Sequence, residues 1–472
     1  MNGTQPSHLL PIFTGAALLI GSATLNATTS TPPSYEPAIT LTAATLLDES
    51  VATSEHYRIE PEVANDGRMN SYQLSSEIQS LEVHTDSLLR ERAHEIEAIV
   101  ALRQMKESDT FQKGFMAAAE APISLTRNLV TDPVGTLESI PSGIGNVLSD
   151  VGAAISSIGK ESSDEDDTLA KNLLGFNTVK RRLAAELGVD PYSSNKLLQE
   201  ELDDVAWSVF AGGAPIEAVM VAAPMVASVS VRISNGTQSD PNGWKISPTT
   251  MLKAADQSAQ KIGLSEEEST QLVYHPICSV NHLTRQVAAI SILEGALGRE
   301  ALLKSNSGAD SEMACRHAQQ QAELIYNYHT NRDRVINLHS QDGQLQLVDW
   351  SGNKIYPVIA DYLTLSESNN GLIEALTRPS TSKRILWLSG RASPQLLSAL
   401  SKQGIELVEQ AQTTPLSVAE ILLPERVQEQ REAENKGNRT GEIASSIGST
   451  IGSVFDAITP DLGEAEASPE AQ

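Results

Sequence analysis

The apolar rhythm of this chain changes near residue 334, and that change limits it to a mixed α+β architecture. Before it, apolar residues mostly recur every three or four positions, the spacing that gathers them on one helix face. In LLRERAHEIEAIVALRQM, Leu89, Ala93, Ile96 and Val100 share such a face, the other is charged, and Thr85 or Asp86 can cap the start. Residues 168–232 and 248–330 follow the same rhythm. Ser193 to Asn195 offer a cap for KLLQEELDDVAWSVF, and Ser265 with Glu268 makes a capping box. QVAAISILEGALGREALLK and SEMACRHAQQQAELIYNYH read as amphipathic helices.

Between 334 and 410, RVINLHS, QLQLVDW and NKIYPVIA read as strands, with turns at Asp342-Gly343 and Ser351-Gly352-Asn353. RILWLSG, RASPQLLSALSKQ and GIELVEQ then read as strand, helix and strand. Pro394 sits in the helix's first turn and Gly404 at its end. A smaller β element lies near the N-terminus. Asn65-Asp66-Gly67 is a hairpin signal between alternating segments, Pro61 marks an edge strand, and a third strand near 80–83 completes a meander.

These rhythms divide the chain. Residues 1–27 read as a signal peptide or anchor, 28–55 as a Thr/Ser/Pro-rich linker, and 56–160 as the β-meander plus helices. Residues 161–167 read as an acidic linker, 168–232 as a helical core, and 248–330 as a helical domain with the Cys pair. Residues 334–410 form a small α/β module, and 425–472 a disordered acidic tail with an amphipathic helix. The fold expected is α+β and mostly helical, with a small N-terminal β-meander and a C-terminal α/β module.

The N-terminus sets the compartment. Residues 9–25 are an apolar run, short for a spanning helix, with Ala23 and Ala27 as cleavage positions and no basic residue before Arg58. The chain is therefore expected to be exported, to the periplasm or beyond, with this segment cleaved or kept as an anchor. Its formal charge of −26 repels phosphate backbones, so nucleic acid is not an expected partner. The same charge limits membrane contact to the N-terminal segment. Pro215, Glu217 and Pro224 argue that the apolar run at 214–231 is a buried core element.

Four groups of residues carry candidate chemistry. Cys278 and Cys315 are the two cysteines, and in an oxidising compartment they are expected to bridge. That bridge would contribute roughly 4 kcal/mol in the chain-entropy model. The same sulfurs with His275, His282 and His317 have the donor types that bind zinc, although the spacing matches no common zinc pattern. No cofactor is expected, and zinc is the alternative. Ser389, Gly390, Arg391 and Ser393 lie between a strand and a helix start, where backbone N–H groups can hold an anion; the competing reading is an ordinary turn with an N-cap serine. Ile443, Ile447, Ile451, Val454, Phe455 and Ile458 share one helical face in the tail and make a docking helix. Acidic residues at 162–167, 200–201 and 203–204 read as solvated faces.

Several segments occur as a set: NDGRMNSYQL, LLRERAHEIEAI, TDPVGT with GIGNV, KRRLAAELGVDPYSSNKLLQEELDDVAW and ILWLSGRASPQLLSAL. The set is similar to a group of hypothetical exported bacterial proteins of unknown function, across most of residues 57–410. The resemblance implies one recurring assembly and carries over no functional residue. The expected function is an exported, non-enzymatic envelope interaction or scaffold protein, acting on a protein partner or on itself. The alternatives are a metal-dependent enzyme using the Cys/His cluster and a membrane-active protein using the small-residue amphipathic helices near 143–159 and 441–458 with the 214–231 run.

Overall fold

The computed structural model describes residues 35–52, 54–109, 111–113, 164–212, 216, 245–411 and 416–428. The chain divides into two units, Met1–Tyr35 and Glu36–Gln472, and every element below lies in the second. The docking helix at 443–458, most of the apolar run at 214–231 and the signal segment lie outside the described residues. Among the described residues, no helix is long and apolar enough to cross a membrane.

The N-terminal sheet contains β1 (Thr40–Thr42), β2 (Tyr57–Ile59), β3 (Glu62–Asn65), β4 (Asn70–Ser76) and β5 (Ser80–His84). All its pairings are antiparallel, with β4 central: β3 and β2 pair successive stretches of it, and β5 pairs it too. The expected meander is present but larger. Residues 40–52, read from the sequence as linker, instead form β1 and two one-turn helices, α1 (Ala43–Leu46) and α2 (Glu49–Ala52). Ala43 and Leu47 are buried in the core of this sheet, which explains why a Thr/Ala-rich segment orders there.

Helix α3 (Asp86–Glu107) starts at Thr85, whose side chain accepts the Leu88 N–H. Its Leu89, Ala93 and Ile96 pack on the sheet, while Ile99, Leu102 and Met105 pack on α4 (Asp164–Leu187) and α5 (Lys196–Gly212). Helix α4 begins inside the acidic run that the sequence suggested as a linker; acids in a first turn suit the positive end of the helix dipole. The acids of α5 form a seam as well as a solvated face. Glu201 is buried and accepts from Arg103 and Lys106, each at 2.7 Å, and Asp203 pairs with Lys180 at 2.5 Å.

The helical layer that follows is α6 (Pro248–Ile262), α7 (Glu266–Val273), α8 (Val280–Ser291), α9 (Arg299–Asn306) and α10 (Glu312–Asn331). The Ser265/Glu268 capping box is formed. The sequence suggested a single helix over 286–304, but it breaks where Gly295 and Gly298 take positive φ. Added side-chain bulk at Gly298 would strike the Leu338 carbonyl, because residue 297 bonds alongside the next strand.

The second sheet has the order β12–β10–β8–β7–β6, where β6 is Val335–Gln341, β7 Gln344–Asp349, β8 Lys354–Val358, β10 Arg384–Leu388 and β12 Glu406–Val408. Strands β8, β10 and β12 are parallel, while β6 and β7 join antiparallel. The crossovers run through α11 (Asn370–Thr377) and α12 (Pro394–Lys402). A short helix α13 (Val418–Leu422) packs back on α6 and α8. One core runs through both this sheet and the helical layer: Val335, Leu347, Ile355, Ile385 and Trp387 pack with residues of α6, α8 and α10. The segments 248–330 and 334–410 therefore share an interior.

Candidate functional site

In an open parallel sheet, ligands ordinarily settle outside the carboxyl ends of the strands. Here those ends are Val358 of β8 and Leu388 of β10. Both chains continue past their strands and pair again as β9 (Tyr362–Leu363) and β11 (Arg391–Ala392). Gly390 lies against this crossing, with its missing Cβ position 2.2 Å from the Asp361 carbonyl oxygen and 2.3 Å from that of Ala360. Only glycine fits so close to another backbone.

That geometry decides the fate of the expected anion turn. The Ser389 N–H donates to the Val358 carbonyl, Arg391 N–H to Asp361, and Ser393 N–H to Leu363. The Ala392 N–H donates to Glu409 Oε1 at 2.6 Å. Ser389 Oγ bonds the backbone of Ala360, and Arg391 Nη1 donates to the Thr45 carbonyl. Ser393 caps α12 by accepting the Leu396 N–H and donates to Glu36 Oε2 at 2.7 Å. The negative groups at this turn are thus the chain's own Glu36 and Glu409, and the N–H groups of Ser389, Arg391, Ala392 and Ser393 are taken. The N-cap reading of Ser393 holds, while the anion cradle is filled from within.

The rest of the crevice is filled by the turn between β3 and β4. The Arg68 carbonyl accepts from the N–H groups of Asp361 and Tyr362, and the Gly67 carbonyl accepts from Thr364 N–H and Asn369 Nδ2. Asn65 Nδ2 reaches the Tyr362 carbonyl, and the Arg68 guanidinium donates to Asn369 Oδ1. Two carboxylates meet at its edge. Asp86 Oδ1 accepts from Tyr72 Oη at 2.5 Å and Asn70 Nδ2 at 2.9 Å, and Asp361 Oδ2 accepts the Asn70 N–H at 3.0 Å. Burial, with the Asp86 charge beside it, pushes the Asp361 carboxyl up to about 7.

The second candidate is the Cys/His group. Cys278 and Cys315 form a disulfide with Cα atoms 5.4 Å apart, joining the loop before α8 to the first turns of α10. His275 lies beside it: one ligand atom from each of His275, Cys278 and Cys315 falls within 4.8 Å of the others. Both sulfurs are in the disulfide, so a tetrahedral zinc site has no thiolate to use in this state. His282 and His317 stand apart from this trio. His282 Nδ1 accepts the Ser279 N–H in a capping arrangement, and burial, reinforced by Arg316, lowers its pKa to about 4. His317 is held below its ordinary value by burial and then by Arg68.

Next to the disulfide lies a charged network that the sequence reading missed. Arg316 clamps Glu91 of α3 through two bonds of 2.7 and 3.2 Å. Arg92 donates to Glu95 at 2.6 Å and to Ser194 Oγ, which in turn donates to Glu312 at 2.8 Å. Glu95, 1% exposed, also accepts from Ser193 Oγ and from Asn195 Nδ2. Burial raises Glu91, but the Arg316 guanidinium outweighs it and holds the carboxyl below the usual range. Burial raises Glu95 and outweighs the opposing Arg92 charge, with the Glu91 charge adding to the rise. The network ties α3, the 190–195 turn and α10 together. Its one sequence signal was the charge density of RERAHEIE on a helix that is apolar on two sides.

No family model, curated protein or solved structure matches this chain.

Proposed function

We propose that this chain is an exported, non-enzymatic scaffold or interaction protein of the cell envelope, working with a protein partner or with itself. The carrying observation is the carboxyl end of the parallel strands. The place where this architecture usually binds a substrate is packed with the chain's own 65–70 turn, Glu36 and Glu409. Further support comes from the disulfide and from the paired charges on α3 and α10, which brace the protein instead of facing solvent. Two segments that carry the sequence resemblance meet at one of these junctions, 190–195 on α3.

Cross-linking of the native protein in intact envelopes tests the reading. One recurrent cross-linked species, with itself or with a single partner, is the expected result; a chain that stays monomeric there and in native gels overturns it. A metal centre is the second reading, favoured by His275 beside the sulfur pair. A free-thiol count on protein from its native source, denatured with chelator and without reductant, separates the two. Zero free thiols and an intramolecular Cys278–Cys315 peptide support export and remove the metal. Two free thiols overturn export, and metal analysis of the native protein follows.

A further inference from the structure

The opposite end of the same strands has a different character. Lys354 opens β8 and Arg384 opens β10, and the two are register partners on adjacent strands. Tyr356 lies two residues beyond Lys354 and so faces the same side. With Gln346, Arg378 and Ser380 they line a small cleft beneath the C-terminal end of α11. We propose that this cleft binds a compact oxyanion, the phosphate or carboxylate group of a small molecule.

Three cations converge there in a chain whose formal charge is −26. Arg384 is locked in place: Nη1 donates to the carbonyls of Leu376 and Arg378 at 2.8 and 3.0 Å, and Nη2 to that of Gln403 at 2.9 Å. It thereby gathers the C-terminal ends of α11 and α12, whose partial negative charge it complements. Those acceptors are neutral carbonyls, and no described carboxylate pairs with it. The Lys354 ammonium has no hydrogen bond or ion pair among the described residues and is only partly exposed. Arg378 reaches Asp342 at 2.6 Å, an exposed pair that solvent weakens. One carboxylate thus stands against three cations.

The floor is rigid as well. Gln346 Nε2 donates to Tyr356 Oη at 2.5 Å, and that hydroxyl donates to the Ala375 carbonyl at 3.1 Å. Arg378 and Arg384 both lie near enough to favour the ionised phenol, although burial outweighs them and raises Tyr356. A positive, preorganised, half-enclosed cleft fits a single oxyanion by charge-assisted bonds from Lys354 and Arg378. The chain's formal charge of −26 disfavours a nucleic acid or other polyanion. This site is independent of the scaffold reading.

Titration calorimetry on the full chain at low salt tests the proposal, with inorganic phosphate in one arm and succinate in the other. Saturable one-site binding is expected in at least one arm, and the tighter arm identifies the group. Lys354→Gln and Arg378→Gln should each weaken it about tenfold, the loss of one charge-assisted bond. Lys261→Gln, an exposed lysine on α6, should leave it unchanged. No saturable heat in either arm overturns the site, as does equal weakening by Lys261→Gln. Urea unfolding of each variant confirms that the lost binding is not lost folding.

Discussion

The two ends of the parallel strands differ in what satisfies their polar groups. At the carboxyl end, the N–H groups of 389, 391, 392 and 393 and of 361, 362 and 364 are paired with backbone, Glu409 and the 65–70 turn, while Glu36 takes the Leu365 N–H and the Ser393 hydroxyl. At the amino end, three cations face a cleft with a single carboxylate among them. The lesson is that a sheet edge becomes a site only where the rest of the chain leaves charge uncompensated. The end that fold analogy favours is closed, and the opposite end is open.

The largest effect should come from Gly390→Ala. A Cβ there would overlap two carbonyl oxygens, forcing β9 and β11 apart at a cost of about 3 kcal/mol or more. Urea unfolding should show a lowered midpoint; an unchanged midpoint would mean that the crossing of the two strands is looser than described. Glu36→Ala comes next. It strips a charged acceptor from the Leu365 N–H and the Ser393 hydroxyl and should cost about 2 kcal/mol. If stability is unaffected, the plug is not what holds the carboxyl end.

Asp361 sharpens the contrast through pH. Its folded value of about 7 lies above the ordinary 3.8, so the folded state holds the proton more tightly than the unfolded chain. The stability this contributes is complete below about pH 4 and is lost as pH rises through 7. Asp190, raised to about 6 mainly by burial, acts in the same sense, while His282, lowered to about 4, acts in the opposite one. Asp361→Asn should therefore remove part of the pH slope between 4 and 7 and leave the His282 component. An unaltered slope in paired unfolding curves would show that Asp361 and Asp86 do not share this environment. The smallest effect belongs to the amino end. Lys354→Gln should change stability by less than about 0.5 kcal/mol, because no partner is lost. A larger change would reveal a structural role for Lys354 and weaken the contrast.

Much of the local structure was legible. The caps at Thr85, Ser265 and Ser393, and the turns at 65–67 and 342–343, follow from side-chain oxygens and glycines acting within a few residues. The cysteine bridge was legible because there are only two cysteines. The charged face of α3 pointed the wrong way. Its Arg92 and Glu95 suggest a wet surface, but α3 packs on the N-terminal sheet and α5 and is tied to α10 by Glu91–Arg316, and its charges find partners a hundred or more residues away. The ordering of 40–52 was hidden for a similar reason: Ala43 and Leu47 gain burial only once β3 exists to receive β1.

The sequence by itself determined most of the helices and strands after residue 56, several of their caps and turns, and which two sulfurs can join. These depend on periodicity, capping and composition, which act over short range. Only the tertiary structure decided that the 389–393 turn is closed by Glu36 from the other end of the chain, and that Lys354, Arg378 and Arg384 share one cleft. Charge compensation depends on distance in space, and strand order sets that distance.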